Sequence, residues 1–411
     1  MSNRKSALVS SSFGLANAGV YYAFVSIVAV LSFLSADLGR PPYLAPANIG
    51  NLLDQTAVVA ILVIFTTVVL ISGNFDLSIG SVGALGAAVF LMAVPSLGLW
   101  GGLAVTLLVG AGVGLLNGVI VQLIGINAFI VTLGTMTAVR SLVLVLTNGR
   151  TIIISDGSGA KALQTLDGSA LPTPNLWLVA GIVLLLAGGV RAVACRHRRA
   201  PLDRMVYVCI SFGTAGTIAS FFLSYSLSVT HQTIFLLVLG VGAGAVLRYT
   251  TVGRRLYAVG GNAEAARLSG IAVNRYKVVA FVLNGTVAAF AGALYAARLG
   301  SINPTGLTGF ELTALAAAIL GGTSLFGGSG TVAKSLVGAL ILFTLRNGFN
   351  VLNLGANWQG LIEGVVLIVA AGIYTVSGRR KSRQPARQGT QPQEPSPALT
   401  QSTLDATQAT A

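Results

Sequence analysis

The fold is decided by the stretch GNLLDQTAVVAILVIFTTVVLISGNFDLSIGSVGALGAAVFLMAVP, residues 50–95. It contains two apolar runs, residues 50–72 and 76–95, which are separated by a short polar segment, and Asp76 opens the second run. Each run has about 20 residues, the length that a helix needs to cross roughly 30 Å of hydrocarbon. The stretch therefore predicts two membrane-spanning helices that follow each other almost without a loop.

Runs of the same kind recur along almost the whole chain of 411 residues, of which 54% are hydrophobic and only 9% are charged. Soluble domains usually carry about a quarter charged residues, so this chain has too little polar surface to cover itself in water. We predict an all-α polytopic membrane protein with about 10–12 transmembrane helices. The twelve spans that the hydropathy indicates are approximately 19–38, 50–72, 76–95, 98–122, 127–147, 176–194, 205–226, 231–249, 276–298, 308–323, 331–352 and 357–376.

Two parts of this pattern depart from simple crossings. The two runs quoted above lie very close together, and the run 308–323 is short, so one or two of these segments could be broken or re-entrant.

Glycine is frequent, at 51 residues, and Gly110, Gly114 and Gly118 are spaced four residues apart. This spacing predicts that helices pack closely at a face of small residues.

The positions of the basic residues predict the orientation. The formal net charge of +14 would suggest nucleic-acid binding in a soluble chain, but here the cations lie between apolar runs, so no nucleic-acid partner is expected. With both termini in the cytoplasm, all but six of the 25 Lys and Arg residues lie on the cytoplasmic side. The six on the outer side are Arg40, Arg140, Arg150, Lys161, Arg298 and Arg346. Because both termini lie on the same side of the membrane, the number of spans must be even.

Composition divides the chain into three parts. Residues 1–18 are expected to form a cytoplasmic N-terminus, and residues 19–376 the transmembrane domain. Residues 377–411 are polar and lack apolar periodicity, which predicts a disordered cytoplasmic tail. The polar segment from Arg150 to Pro174 is predicted to be an outer loop that could meet an extracytoplasmic partner. The positions of the two cysteines do not favour a structural disulfide.

The segment TVGRRLYAVGGNAEAARLSGIAVNRYK, residues 251–277, is long, polar and basic, which predicts a cytoplasmic position. Within it, Asn262 can cap a short helix whose first turn holds Glu264, and Gly270 can end that helix. A short amphipathic helix between two spans is typical of a surface that docks a partner subunit. A plain connecting loop explains the same residues about equally well.

Glu264-Ala265-Ala266 followed by Gly270 resembles the EAA-type coupling helix of permeases that dock an ATPase subunit. The stretch SGNFDLSIGS, residues 72–81, resembles the signature of the ribose/xylose branch of bacterial ABC sugar permeases, and the blocks 116–150 and 310–337 resemble its later conserved blocks. In order along the chain, these stretches cover roughly residues 50–376. The resemblance assigns to ATPase coupling the residues Gly260, Gly261, Asn262, Glu264, Ala265, Ala266 and Gly270.

The resemblance implies a permease subunit of an importer, located in the bacterial cytoplasmic (inner) membrane, with no ATPase site or cofactor of its own. Its implied partners are an ABC ATPase subunit that binds ATP, a periplasmic or extracellular sugar-binding protein and a second copy of the permease. Residues 176–226 contain two spans that resemble the additional helices of the longer xylose-type permeases, which favours a pentose such as xylose. Asn74 and Phe75 depart from the Gly and Ile of the signature, so substrate contacts near Asp76 can differ from those of the family.

Asp76 has two interpretations. Its carboxylate could cap the third span by accepting the free amides at the start of that helix. An acid between apolar spans is costly in lipid, so it could instead line the transport pathway. A neutral sugar needs hydrogen-bonding partners rather than charge, although interhelical hydrogen bonds explain buried Asn and Thr residues as well. The candidates for the pathway or for helix caps are Asn74, Asp76, Ser78, Asn117, Asn127, Thr132, Thr135, Asn284 and Glu311.

Acidic residues within the apolar runs help to distinguish the alternative functions. Glu311 and Glu363 lie in apolar runs, and we expect them to pair with Arg298 or Arg346 near the outer side. An ion-coupled secondary sugar carrier would need a relay of acids or histidines deep in its spans, and little of one is visible. The second alternative is a branched-chain amino-acid ABC permease, whose zwitterionic substrate requires a charged pair or exposed helix ends.

One segment resembles a nucleotide-binding loop in its sequence. GSGTVAKS, residues 328–335, nearly matches a phosphate-binding loop, but Ala333 stands where the second glycine belongs and no strand is predicted before it. Its glycines predict a tight turn instead. No metal site is expected, because the chain has only two histidines and they lie far apart.

Overall fold

The computed structural model describes residues 15–154, 157–167, 204–222 and 230–354, together with single residues between 181 and 195 and between 358 and 365. The predicted tail 377–411 lies outside these residues, and so do most of the predicted spans 176–194 and 357–376. All the residues described belong to one compact unit.

The described residues include twelve α-helices, one π-helical segment (Ile120–Ile124) that directly follows the third α-helix, and two short strands. The helices are α1 (Leu15–Asp37), α2 (Pro46–Ile71), α3 (Ile79–Val119), α4 (Ala128–Leu146), α5 (Gly157–Asp167), α6 (Arg204–Phe222), α7 (His231–Tyr249), α8 (Thr251–Gly261), α9 (Ala263–Leu268), α10 (Val273–Leu299), α11 (Phe310–Leu320) and α12 (Val332–Leu352). The strands β1 (Ile152–Ile153) and β2 (Ser301–Ile302) pair antiparallel.

Seven of these helices are long and apolar enough to cross a membrane, counting only the described residues: α1, α2, α3, α4, α7, α10 and α12. Each coincides with a run that the hydropathy indicates. Shorter apolar helices are Val206–Ile218, within α6, and α11. The prediction of an all-α polytopic membrane protein is confirmed.

Helix α3 contains two crossings rather than one. The continuous apolar element Ile79–Ile124 has 46 residues, which corresponds to about 69 Å of helix, more than twice the hydrocarbon thickness. Gly98 interrupts it with φ 69° and ψ −179°, and Pro95 lies just before the break. The halves, α3a (79–97) and α3b (99–119), therefore agree with the two predicted spans 76–95 and 98–122.

Both halves of α3 pack against α10 through small residues. On α3a, Gly86 lies against Ala289, and a Cβ at Gly86 would come within 2.5 Å of the Ala289 backbone. On α3b, a Cβ at Gly114 would lie 2.9 Å from the Cα atom of Val282. The predicted stripe of α3b glycines is confirmed as a close helix contact, since side chains there would separate the backbones.

Helix α11 is too short to cross the membrane, so the structure favours a broken or re-entrant segment at 308–323 over the full span that was the other interpretation. Its 11 residues cover about 16 Å, half the hydrocarbon thickness. The preceding loop enters the bundle, where Leu307 lies against Gly83 of α3a. Because the chain enters by this loop instead of by a helix, α11 begins inside the bundle.

The β1–β2 end of the bundle carries more structure than the predicted outer loop. Ile152 pairs with Ile302, and α5 follows β1. Helix α5 forms because one face is apolar at helical spacing, and its buried residues are Gly159, Ala162, Leu163 and Leu166. The Gln232 side chain fastens α5 to the bundle by donating to the Asp167 carboxylate at 2.9 Å. Cys195 and Cys209 are free thiols.

Candidate functional site

A buried carboxylate lies between α2 and α3. Asp76 is 6% exposed, and its Oδ1 atom accepts hydrogen bonds from the backbone N–H of Ser78 at 2.9 Å and from the Ser78 hydroxyl at 2.6 Å. Its Oδ2 atom accepts from the side-chain amide of Asn284 on α10 at 2.9 Å. The carboxylate therefore joins the start of α3a to the middle of α10.

The hydrogen bonds continue from Ser78 across two more helices. The Asn117 amide of α3b donates to the Ser78 hydroxyl at 3.0 Å, and the Thr135 hydroxyl of α4 donates to the Asn117 oxygen at 2.6 Å. We call this chain of five side chains, Asp76, Ser78, Asn117, Thr135 and Asn284, the Asp76 network. Sequence reasoning had named all five residues individually but could not show that they bond to one another.

The predicted cap is not formed by Asp76: Ser78 is the residue that precedes the first residue of α3, and its side chain makes no capping bond. The Asp76 carboxylate instead accepts from the amide and the hydroxyl of Ser78 and from the side-chain amide of Asn284. Buried polar groups in lipid need such partners, because no water is present to replace them. Asp76 therefore combines a local turn with an interhelical contact.

The remaining Asn and Thr candidates lie outside the network. Asn74 donates to the Ser72 hydroxyl at 3.2 Å. Asn127 caps α4 by accepting from the N–H of Phe129 at 2.9 Å. The Thr132 hydroxyl donates to the carbonyl of Ala128 on its own helix at 2.8 Å. These three side chains serve local structure.

Two clefts flank the network. One, of about 500 Å³, is lined by Asn74, Asn127 and Lys277 among others. The other, of about 410 Å³, lies between α3b and α4 and includes Thr135 within mostly apolar walls. Ile126 lines both. The segment just before Asp76 lines the first cleft, and Thr135 of the network lines the second.

Glu311 does not have the partners predicted for it. It lies in the first turn of α11, where its Oε1 atom is 3.5 Å from the guanidinium of Arg140 on α4 and accepts from the N–H of Gly309 at 3.2 Å. The expected pairing with Arg298 or Arg346 is therefore wrong. Helix α11 starts inside the bundle beside Gly80 and faces α4, which sequence spacing could not show. Glu363 lies outside the described residues.

The segment that resembles a coupling helix forms two helices, α8 and α9. The Asn262 side chain caps α9 by accepting from the N–H of Ala265 at 2.9 Å, and Gly270 follows with φ 76°. The predicted cap, helix and glycine turn are confirmed. Glu264 and Ala265 face outward, Ala266 is buried, and Leu268 is 84% exposed.

Sequence reasoning missed α8. The Thr250 hydroxyl caps it by accepting from the N–H of Gly253 at 3.3 Å. Its buried residues Gly253, Leu256 and Val259 are spaced as on one helix face. A threonine cap before that apolar pattern was the available signal, but the two adjacent arginines obscured it.

Four glycines hold α8 against the rest of the bundle, and we call Gly73, Gly260, Gly327 and Gly328 the glycine junction. A Cβ on Gly260 would overlap the carbonyl oxygen of Ile71 at the end of α2 and would lie 2.8 Å from the nitrogen of Gly328. The N–H of Gly328 donates to the same Ile71 carbonyl at 3.0 Å.

The loop side of the junction has the predicted tight turn. Gly327, Gly328 and Gly330 all have positive φ, at 87°, 70° and 149°. The Tyr257 hydroxyl of α8 donates to the carbonyl of Gly330 at 2.8 Å, and burial raises the pKa of Tyr257, so the proton stays on the hydroxyl at neutral pH. Helix α8 is thus joined through Gly73 to the segment that carries Asp76.

The chain resembles known permeases of transport systems. The family model described as branched-chain amino acid transport system / permease component matches residues 48–371. The chain is 33% identical to the xylose transport system permease protein of Escherichia coli over 377 residues, which is 89% of this chain and 93% of that protein. The corresponding Haemophilus influenzae protein is 33% identical over 388 residues, 89% of this chain and 98% of that protein.

A second group of relatives carries a different name. The chain is 33% identical to the ribose import permease protein of Escherichia coli over 353 residues, which is 85% of this chain and 90% of that protein. No solved structure matches the chain.

Proposed function

Because the chain belongs to the family of branched-chain amino acid transport system permease components, we propose that it is the membrane-spanning permease subunit of an ATP-binding-cassette importer for a monosaccharide. The observation that carries this proposal is near full-length similarity to permeases named for xylose and for ribose. Both names denote pentoses. Within that class we propose xylose first, because the two spans predicted within 176–226 resemble the longer xylose-type permeases.

The alternative substrate is a branched-chain amino acid, which the family description itself names. One structural observation favours it, since a zwitterion needs opposite charges and Arg140 lies 3.5 Å from Glu311 beside the start of α11. These two charges already neutralise each other, however. The Asp76 network offers neutral amides and hydroxyls, which suit the hydroxyl groups of a sugar.

We place the contact with the ATPase at α8 and α9. Helix α9 presents Glu264 and the 84% exposed Leu268, and Phe326, next to the glycine junction, is 90% exposed. Both apolar side chains lie outside the seven helices long enough to cross a membrane, where contact with a partner protein would cover them. In this proposal the ATP is bound by the partner, and this chain supplies the docking surface and the pathway.

The glycine junction is the proposed route of coupling. Backbone contacts between α8, the end of α2 and the 327–328 turn leave no compressible side chain between them. A displacement of α8 would therefore move Gly73 and the segment that leads to Asp76. In this way closure of the ATPases would reach the Asp76 network, which two copies of the permease would place beside one shared pathway.

The orientation that this function requires can be tested with single cysteines. After Cys195 and Cys209 are replaced by serine, Ser269→Cys, beyond α9, should react with a membrane-impermeant reagent only in opened cells. Ser158→Cys, on α5 at the β1–β2 end, should react in intact cells, because cations on the cytoplasmic side set the topology. The reverse pattern of labelling would contradict a docking surface for a cytoplasmic ATPase.

The proposed activity is tested by reconstitution. Proteoliposomes that contain the permease, its ATPase and its binding protein should accumulate labelled xylose or ribose with ATP inside, and omission of either partner should abolish uptake. Labelled leucine serves as the matched substrate for the alternative. Uptake by the permease alone would indicate a secondary carrier, and uptake of leucine in place of the sugars would indicate the amino-acid permease.

A further inference from the structure

A long groove runs along α7 on the lipid-facing side of the bundle. It has a volume of about 960 Å³ and lies between α7, α2 and α12, with Tyr21 of α1 at its side. Its walls are mostly apolar, and examples are Leu53, Ala60, Leu236 and Leu340. We call it the α7 groove. It is separate from the Asp76 network and from the exposed face of α9.

The α7 groove has the dimensions of an acyl chain. From Thr233 to Leu247, both of which line it, the helix rises about 21 Å, somewhat more than the thickness of one leaflet. Gly240 and Gly244 line the groove, and because they have no side chains the groove is deep at these two positions. A Cβ at Gly244 would meet no atom within 4 Å, so a missing side chain, rather than a close helix contact, opens this part of the groove.

One end of the groove is cationic. Arg248, Arg254 and Lys334 line it there, next to Tyr249 and Tyr257. In the part of the chain that the structure describes, no acidic side chain forms an ion pair with any of these three cations. The guanidinium of Arg248 instead lies 5.5 Å above the ring of Tyr249. Three uncompensated positive charges therefore meet the mouth of an apolar groove where α7 ends.

We propose that the α7 groove binds an anionic phospholipid of the bilayer. The acyl chain lies along α7, and the phosphate lies among Arg248, Arg254 and Lys334. A basic pocket between transmembrane helices at the membrane surface is the chemistry that recognises an anionic headgroup, since guanidinium and ammonium groups donate charge-assisted hydrogen bonds to phosphate. A second copy of this chain fits less well in this groove, because a symmetric contact there would bring the same three cations of both copies together.

The charge is tested by binding to the intact purified chain. The triple variant Arg248→Gln, Arg254→Gln, Lys334→Gln is compared with the matched control Arg255→Gln, Arg267→Gln, Arg275→Gln, which removes three charges from the same segment outside the groove. Native mass spectrometry counts bound phosphatidylglycerol and phosphatidylcholine with identical acyl chains. We expect the groove variant to lose at least about tenfold in affinity for phosphatidylglycerol, and the control to bind as wild type does.

The groove itself is tested by Gly244→Leu, which fills the space for the acyl chain without changing the charge. It should reduce the binding of both lipids, with circular dichroism confirming that the helices are retained. Equal affinity of the wild-type chain for the two lipids would refute the proposal, and so would equal losses in the two triple variants. Displacement of the bound lipid by inorganic phosphate alone, or a dimer that Gly244→Leu dissociates without change in lipid binding, would also overturn it.

Discussion

Replacing Asp76 with alanine should destabilise the membrane domain strongly, whereas Asp76→Asn should retain most of its stability. Alanine leaves the buried donors of Ser78 and Asn284 without an acceptor, and each such group costs about 1–3 kcal/mol. Interhelical hydrogen bonds in bilayers are often weaker and average about 0.6 kcal/mol. The destabilisation by alanine is nevertheless expected to be large, because three donors lose their acceptor at once. Asparagine still offers an oxygen to Ser78, and the Asn284 amide can rotate to accept from the new NH₂ group.

The measurement is unfolding by denaturant in mixed micelles, together with membrane abundance and sugar uptake per chain. Asp54→Ala is the matched control, because Asp54 accepts from the Thr230 hydroxyl at 2.7 Å but is only partly buried and lies outside the network. We expect a small effect there. If Asp76→Asn and Asp76→Ala are both stable and both inactive, the carboxylate acts on the substrate, and a structural network is not its main role.

Replacing Gly260 with alanine should uncouple transport from ATP hydrolysis. Alanine favours a helix by about 1 kcal/mol over glycine, so any damage must come from the contact that its Cβ would make with the Ile71 carbonyl. That neighbour is backbone and cannot rotate away, and such overpacking costs about 1–3 kcal/mol. The end of α8 must therefore shift, and we expect ATP-dependent uptake to fall at least about tenfold.

Gly242→Ala on α7 is the matched control, because it makes the same change within a helix where no atom lies within 4 Å of the new Cβ. Uptake and ATP hydrolysis stimulated by the binding protein are measured for both variants at equal membrane abundance. Tyr257→Phe provides a milder change, since it removes the bond to the Gly330 carbonyl while keeping the ring. Normal uptake by Gly260→Ala would show that the glycine junction does not transmit the ATPase movement.

The main helices were predictable because their signal is local. Lipid requires each crossing to satisfy its own backbone hydrogen bonds, so a run such as 50–72 indicates a helix without knowledge of its neighbours. The same locality made the Asn262 cap and the Gly270 turn of α9 predictable from adjacent residues. Helix α8 was missed because two adjacent arginines stand in the sequence between its buried positions. The sequence left both a full span and a re-entrant segment open at 308–323, because hydropathy records how apolar a run is, not the depth at which its helix begins.

The sequence by itself determined the all-α membrane fold, the family and the individual polar residues that lie between apolar spans. Only the tertiary structure decided which of those residues meet. Asp76 bonds to Asn284, 208 positions away along the chain, and Glu311 pairs with Arg140 instead of the arginines expected near it. The physical reason is that a hydrogen bond or an ion pair depends on the distance between two atoms. For Asp76 and Asn284 that distance is set by how closely the small residues of α3 and α10 allow the two backbones to approach.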